Sequence, residues 1–207
     1  MMKMMRNLAW FAVGALLAVI IVPAFAAHNT RHATIASTVR LMVDPTIQAV
    51  CSAVMIAPER ALTAAHCADR MEAPLLISEA VSYPILEAYY NTDRDLAVLV
   101  VPGAPCPCAT IGDTPANLGG TITLIGFPHG NFAVDEGVVL GVTLLEDLLY
   151  VVTTADSAPG GSGGGVFDAE GYLIGVNGLG SDDGSMSAYT PITGAPLPEK
   201  ESLNATY

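Results

Sequence analysis

The stretch Pro159-Gly160-Gly161-Ser162-Gly163-Gly164-Gly165 sets one hydroxyl side chain among glycines. Glycine adds no side-chain bulk, so the serine hydroxyl is left exposed and neighbouring backbone N–H groups are free to converge on one point. Outward from this loop, short β-branched and aliphatic runs alternate with Gly, Pro, Asn and Asp, and no long stretch keeps a helical period. Around it the pattern predicts strands at 121–127, 137–145, 149–154, 165–167, 172–176 and 187–192. Further upstream it predicts strands at 38–43, 48–56, 61–64, 75–78, 84–90 and 96–101. Between the two groups lies a Pro/Cys/Gly-rich stretch, 102–120. Two sets of about six strands with a punctuated linker predict an all-β chain built as two small barrels or sandwiches. Beyond Gly194, Pro196, Pro198 and a charged end predict a mobile tail.

The composition narrows the function. Of 207 residues 52% are hydrophobic and 14% charged, enough apolar material for a core. A formal charge of −12 repels phosphate backbones, and the cysteines and histidines have no paired zinc-knuckle spacing, so nucleic acid is excluded as a partner. Basic or neutral partners fit better. At the amino end, Lys3 and Arg6 precede an uncharged apolar run, 8–22, followed by Pro23 and Ala24-Phe25-Ala26. This predicts a signal peptide over 1–26, cleaved after Ala26, and a secreted or periplasmic chain with no stable membrane association. The apolar run is short for a membrane span of roughly 20 residues.

Two further segments carry reactive groups. In Leu62-Thr63-Ala64-Ala65-His66-Cys67 a histidine flanked by small residues directly precedes a cysteine, and Cys51, sixteen positions upstream, is placed to close a hairpin with Cys67. In Asp93-Arg94-Asp95-Leu96-Ala97-Val98-Leu99 an acid stands at the mouth of a buried strand. The order along the chain is His, Asp, Ser. With these residues the chain resembles the chymotrypsin-like serine proteases, whose hallmarks T-A-A-H-C, D-x-A-x-x and G-x-S-G-G occur here in the family's order. The resemblance spans about residues 35 to 193 and includes the Cys51 to Cys67 spacing and the final-strand likeness of Ser187-Ala188-Tyr189-Thr190.

That resemblance implies two six-stranded β-barrels, the first over 27–104 with His66 and Asp95, the second over 121–193 with Ser162, joined by a linker at 105–120. It implies Ser162 as nucleophile, His66 as general base and Asp95 as the carboxylate that orients the imidazole. The N–H groups of Gly160 and Ser162 would form the oxyanion hole, and Asn177, Gly178 and Gly180 would contact substrate. Asp95 is preferred to Asp93 because it begins the apolar strand and takes the D-x-A register. His28 and His32 lie near the mature terminus, and His129, in Gly126-Phe127-Pro128-His129-Gly130, reads as an exposed turn residue.

Gly161 replaces the aspartate that pancreatic-type enzymes carry before the serine, so the chain looks like the short bacterial and viral members, Deg-type proteases among them. With 45 residues after Ser162, no carboxy-terminal PDZ domain is expected. Asp156, six residues before Ser162, occupies the offset that favours basic P1 side chains in trypsin-like enzymes, or else caps a turn after Thr153-Thr154. From Leu96 onward there are 12 acids and one base, which also favours cationic substrates. In Cys106-Pro107-Cys108 both a tight disulfide ring and two free thiols are open. Asp182-Asp183-Gly184 reads as a surface turn rather than a calcium loop. No metal or cofactor is implied. The expected partners are protein or peptide substrates, and the alternative function is a catalytically silent protease-like binding module.

Overall fold

The computed structural model describes residues 35–44, 49–69, 75–78, 81–181, 184–194 and 196–199. The expected signal peptide, His28, His32, Asp182, Asp183 and residues 200–207 lie outside the described residues. The chain is all-β. Its first half holds β1 (Thr38–Asp44), β2 (Ala49–Ala57), β3 (Arg60–Ala64), β4 (Leu75–Ser78), β5 (Val81–Pro84), β6 (Glu87–Asn91) and β7 (Leu96–Val100). A short helix, α1 (Ala65–Ala68), follows β3. The second half holds β8 (Thr121–Gly126), β9 (Ala133–Leu145), β10 (Leu148–Thr153), β11 (Gly165–Asp168), β12 (Leu173–Gly180) and β13 (Ser187–Pro191).

Each expected strand is present, and β5 is one that the pattern did not predict. The run expected at 84–90 is β6, while β5 lies ahead of it and meets that run only at Pro84, which has no N–H to carry the ladder onward. The first half is therefore a seven-stranded antiparallel sheet in the order β5-β4-β1-β2-β3-β7-β6. Its two edge strands are consecutive in the chain and separated only by Ile85 and Leu86, so the sheet rolls into a half-barrel whose ladder stays open. The second half closes as a six-stranded barrel, β10-β13-β12-β11-β8-β9.

Alternation with a period of two explains which side chains meet inside. Val39, Leu41 and Val43 of β1 pack inward, together with Leu62, Leu96 and Leu99. Ile122, Leu124, Val139, Val151, Val166, Ile174 and Tyr189 fill the second core. The stretch between β7 and β8 is bound to both halves. Ala109 N donates to Met55 O at 2.8 Å, and Thr110 O accepts from Leu173 N at 2.8 Å. Cys106 and Cys108 are paired in a disulfide. Within the segment expected as a tail, Leu197 packs against the first core and Pro196 O accepts from the Arg94 guanidinium.

Candidate active site

Asp95 is delivered by a single 3-10 turn, Thr92–Arg94, and caps it in the left-handed region at φ 49°. Few side chains tolerate that conformation, and short polar ones such as Asp are among them. The turn leads into β7, which pairs with β3 through Ala64 and Leu96, so Asp95 meets the residues that follow β3. Ala65 N donates to Asp95 O at 3.0 Å, and His66 N donates to Asp95 Oδ1 at 2.9 Å. The imidazole Nδ1 then stands 2.9 Å from Oδ2 and 3.1 Å from Oδ1. An ionised carboxylate only accepts, so this contact assigns the proton to Nδ1 and leaves Nε2 as the free acceptor. Asp95 is buried, whereas the His66 side chain is 33% exposed. Behind the histidine, Cys51 and Cys67 are bridged with Cα atoms 6.2 Å apart, which ties α1 to β2.

Ser162 comes from the other half. Its loop is pinned by backbone bonds: Ser52 N to Ser162 O at 2.7 Å, Gly163 N to Asn177 O at 2.7 Å, and Asn177 N to Gly164 O at 2.8 Å. Gly163 is held at φ +83°, and a Cβ there would lie 2.0 Å from Ser52 O and 2.2 Å from Thr63 Oγ1. Ser52 serves both halves, donating through Oγ to Gly160 O and accepting from Phe127 N, each at 2.8 Å.

The loop also leaves donors unused. Among the described residues, the N–H groups of Gly161, Gly163 and Gly164 have intramolecular acceptors while those of Gly160 and Ser162 have none. Pro159 O accepts from His129 N at 2.7 Å, and in a trans peptide the N–H points opposite to the C=O, so this bond turns the Gly160 N–H away from His129. His129 itself is an exposed turn residue at φ 51°. The Ser162 hydroxyl donates to Gly178 O at 3.3 Å and makes no hydrogen bond to His66.

His66, Asp95 and Ser162 line one cleft of about 580 Å³, bounded below by Gly178 and Gly180. Asn177 is buried beneath it, with Nδ2 donating to Ser157 Oγ at 2.7 Å. Asp156 is not on the wall of the cleft: its side chain is exposed, its N–H donates to the Asp135 carboxylate, and its Oδ1 is the atom nearest to where a Cβ on Gly184 would stand. The neighbouring Ser157 turns inward instead, and the second acid on the wall, beside Asp95, is Glu146, from the turn between β9 and β10. Tyr150 of β10 lies against Asp95. Its hydroxyl pKa is pushed up to about 12, by burial first, then by the Asp95 charge and a hydrogen bond to Asp95, and last by Glu146. Among the described residues no group of three or more His, Cys, Asp or Glu side chains is placed to hold a metal ion.

The sequence reading missed Ser52, Thr63, Glu146 and Tyr150. Ser52 and Thr63 sit inside the motifs of Cys51 and His66 and could have been weighed with them. Glu146 and Tyr150 carry no local signal, since only the packing of β10 brings them to the cleft.

The match to known proteins agrees with this geometry. Residues 51–176 match the family model of the trypsin-like peptidase domain, and the chain belongs to that family. It is 34% identical over 93 residues to a probable periplasmic serine endoprotease, DegP-like, of Halomonas elongata, covering 42% of this chain and 20% of that protein. It is 27% identical over 135 residues to serine protease Rv3671c of Mycobacterium tuberculosis, covering 59% of this chain and 34% of that protein. The chain thus spans about a fifth to a third of the length of these relatives. The solved structure of the Rv3671c protease in its active form superposes with a TM-score of 0.70 at 23% identity, covering 86% of this chain and 89% of that one. That likeness shows the chymotrypsin-like fold.

Proposed function

We propose that this chain is a serine endopeptidase acting through Ser162, His66 and Asp95. The observation that carries the reading is the bidentate contact of the Asp95 carboxylate with His66 Nδ1, made in the same cleft as a serine flanked by two unused N–H donors. In the reaction Ser162 Oγ attacks the substrate carbonyl while His66 Nε2 takes its proton, and Asp95 stabilises the imidazolium. The oxyanion forms against the N–H groups of Gly160 and Ser162. The imidazolium then protonates the leaving amine, and a water repeats the sequence to release the acyl group. The hydroxyl must first swing from Gly178 O to Nε2, a rotation about one side-chain bond; such contacts commonly tighten only when substrate binds.

Glu146 on the cleft wall, together with the acidic surface, supports a preference for cationic substrate side chains, including basic P1 residues. Gly178 and Gly180 are the proposed substrate-binding backbone. The apolar run behind Lys3 and Arg6 supports export, as does the likeness to a protein described as periplasmic. No helix among the described residues is long and apolar enough to cross a membrane.

The test is labelling of the purified chain with a fluorophosphonate probe, alongside hydrolysis of casein-like and peptide substrates. Labelling and hydrolysis are expected, and Ser162→Ala should lose both by roughly 10³-fold or more while its melting curve is unchanged. A second reading, a silent binding module, draws on the bond from Ser162 to Gly178 O. A folded wild-type chain that neither labels nor hydrolyses would establish it.

A further inference from the structure

Asp95 is a buried carboxylate, and a buried charge must have its acceptor sites filled. His66 N and Nδ1 supply contacts to both oxygens. A carboxylate offers about four lone-pair positions, so His66 alone leaves capacity unused. The side of Asp95 towards β12 is where a side chain at position 178 would stand. A Cβ on Gly178 would lie 3.5 Å from Asp95 Oδ2 but only 2.8 Å from Tyr150 Cε1. The tyrosine ring therefore occupies the space beside the carboxylate that residue 178 leaves empty.

We propose that Tyr150 is a positioning residue for the Asp95–His66 pair: its hydroxyl donates to the Asp95 carboxylate and holds it square to the imidazole, in a space kept open by Gly178. The inference rests on the serine-protease reading above and extends it to a residue outside the triad. A comparison within the barrel supports it. Tyr150 and Tyr189 are both buried, but the Tyr189 hydroxyl has no hydrogen-bond partner, whereas the Tyr150 ring stands beside the Asp95 carboxylate. Buried tyrosines ordinarily find a partner, and of these two only Tyr150 has one of catalytic consequence beside it. Its high proton affinity keeps the phenol a neutral donor throughout the working pH range. The charged groups around the pair are His66 from α1, Glu146 from the β9–β10 turn, and Asp93 and Arg94 from the turn before β7; the Arg94 guanidinium is directed onto the Pro191 carbonyl.

The experiment uses Tyr150→Phe in the full chain, which keeps the ring and removes the donor. Without that donor the carboxylate charge falls more fully on the imidazolium, so the protonated ring persists to higher pH. Expected are an acidic limb of the kcat/KM profile displaced upward, a kcat lower by roughly tenfold with KM little changed, and a displaced His66 Nδ1 proton resonance by NMR. A second pair removes dependence on one variant: Tyr150→Ala should lose activity, and adding Gly178→Ser, whose hydroxyl would reach Asp95 in the vacated space, should restore part of it. Wild-type kcat, pH profile and Nδ1 resonance in Tyr150→Phe, or no rescue by Gly178→Ser, would overturn the proposal. If the wild type hydrolyses nothing, the protease reading fails, and the Nδ1 resonance in wild type and Tyr150→Phe still decides whether Tyr150 holds Asp95.

Discussion

In the rolled N-terminal sheet the reactive groups are joined through side chains, His66 to Asp95, with a disulfide fastening the helix behind them. In the closed C-terminal barrel the serine loop is fixed almost entirely through backbone N–H and C=O groups of glycines and their neighbours. The contrast follows from what each half supplies. A proton relay needs a ring held in one tautomer and orientation, which a carboxylate can enforce. A nucleophile with an oxyanion site needs bare N–H groups, so side chains must be absent there. The first half therefore tolerates little change in side-chain chemistry, and the second little change in side-chain size.

The sharpest way to break that contrast is to add one methyl group to the serine loop. In Gly163→Ala the Cβ would fall within 2.0 Å of Ser52 O at a φ of +83°, so the Ser52 and Asn177 bonds to the loop must give way. We expect loss of fluorophosphonate labelling and destabilisation of about 4 kcal/mol, measured by urea unfolding. Normal labelling would mean that the loop is not held as described. Removing the bridge in the other half, as Cys51→Ala with Cys67→Ala, should cost roughly 3 kcal/mol by the same measurement, because the loop it closes is short. The remaining activity should fall as α1 loosens, but labelling should survive, since the serine loop has its own supports.

The smallest effect concerns charge at the cleft. Glu146 lines the wall and is exposed, so Glu146→Gln should lower cleavage of Arg- and Lys-containing peptides by about threefold. Asp156→Ser should alter the same profile by less than about twofold, the change ordinary for a screened surface charge. A large loss of basic preference in Asp156→Ser would return Asp156 to the role first expected of it.

Much of this was legible in the chain. The alternating runs located every strand but β5, and the T-A-A-H-C, D-x-A and G-x-S-G-G segments pointed to the residues that share the cleft, because strand periodicity and glycine runs are local properties. Asp156 shows the limit: its offset from Ser162 matches the family pattern, yet the backbone there turns Ser157 inward and Asp156 outward, and spacing alone does not record which of two adjacent side chains faces a cleft. β5 shows another, since Val81-Ser82-Tyr83-Pro84 is too short a run to read as a strand and is one only through its pairing with β4.

By itself, then, the sequence determined the all-β class, the Cys51–Cys67 bridge and the order of the reactive groups, all of them set by short-range pattern. Only the tertiary structure decided that the first sheet stays open while the second closes, that Ser52 braces the serine loop from the opposite half, and that Tyr150 rather than any residue near Asp95 in the chain lies against its carboxylate. Those outcomes depend on contacts between strands far apart in sequence, where packing and hydrogen-bond satisfaction choose among arrangements that local pattern leaves equal.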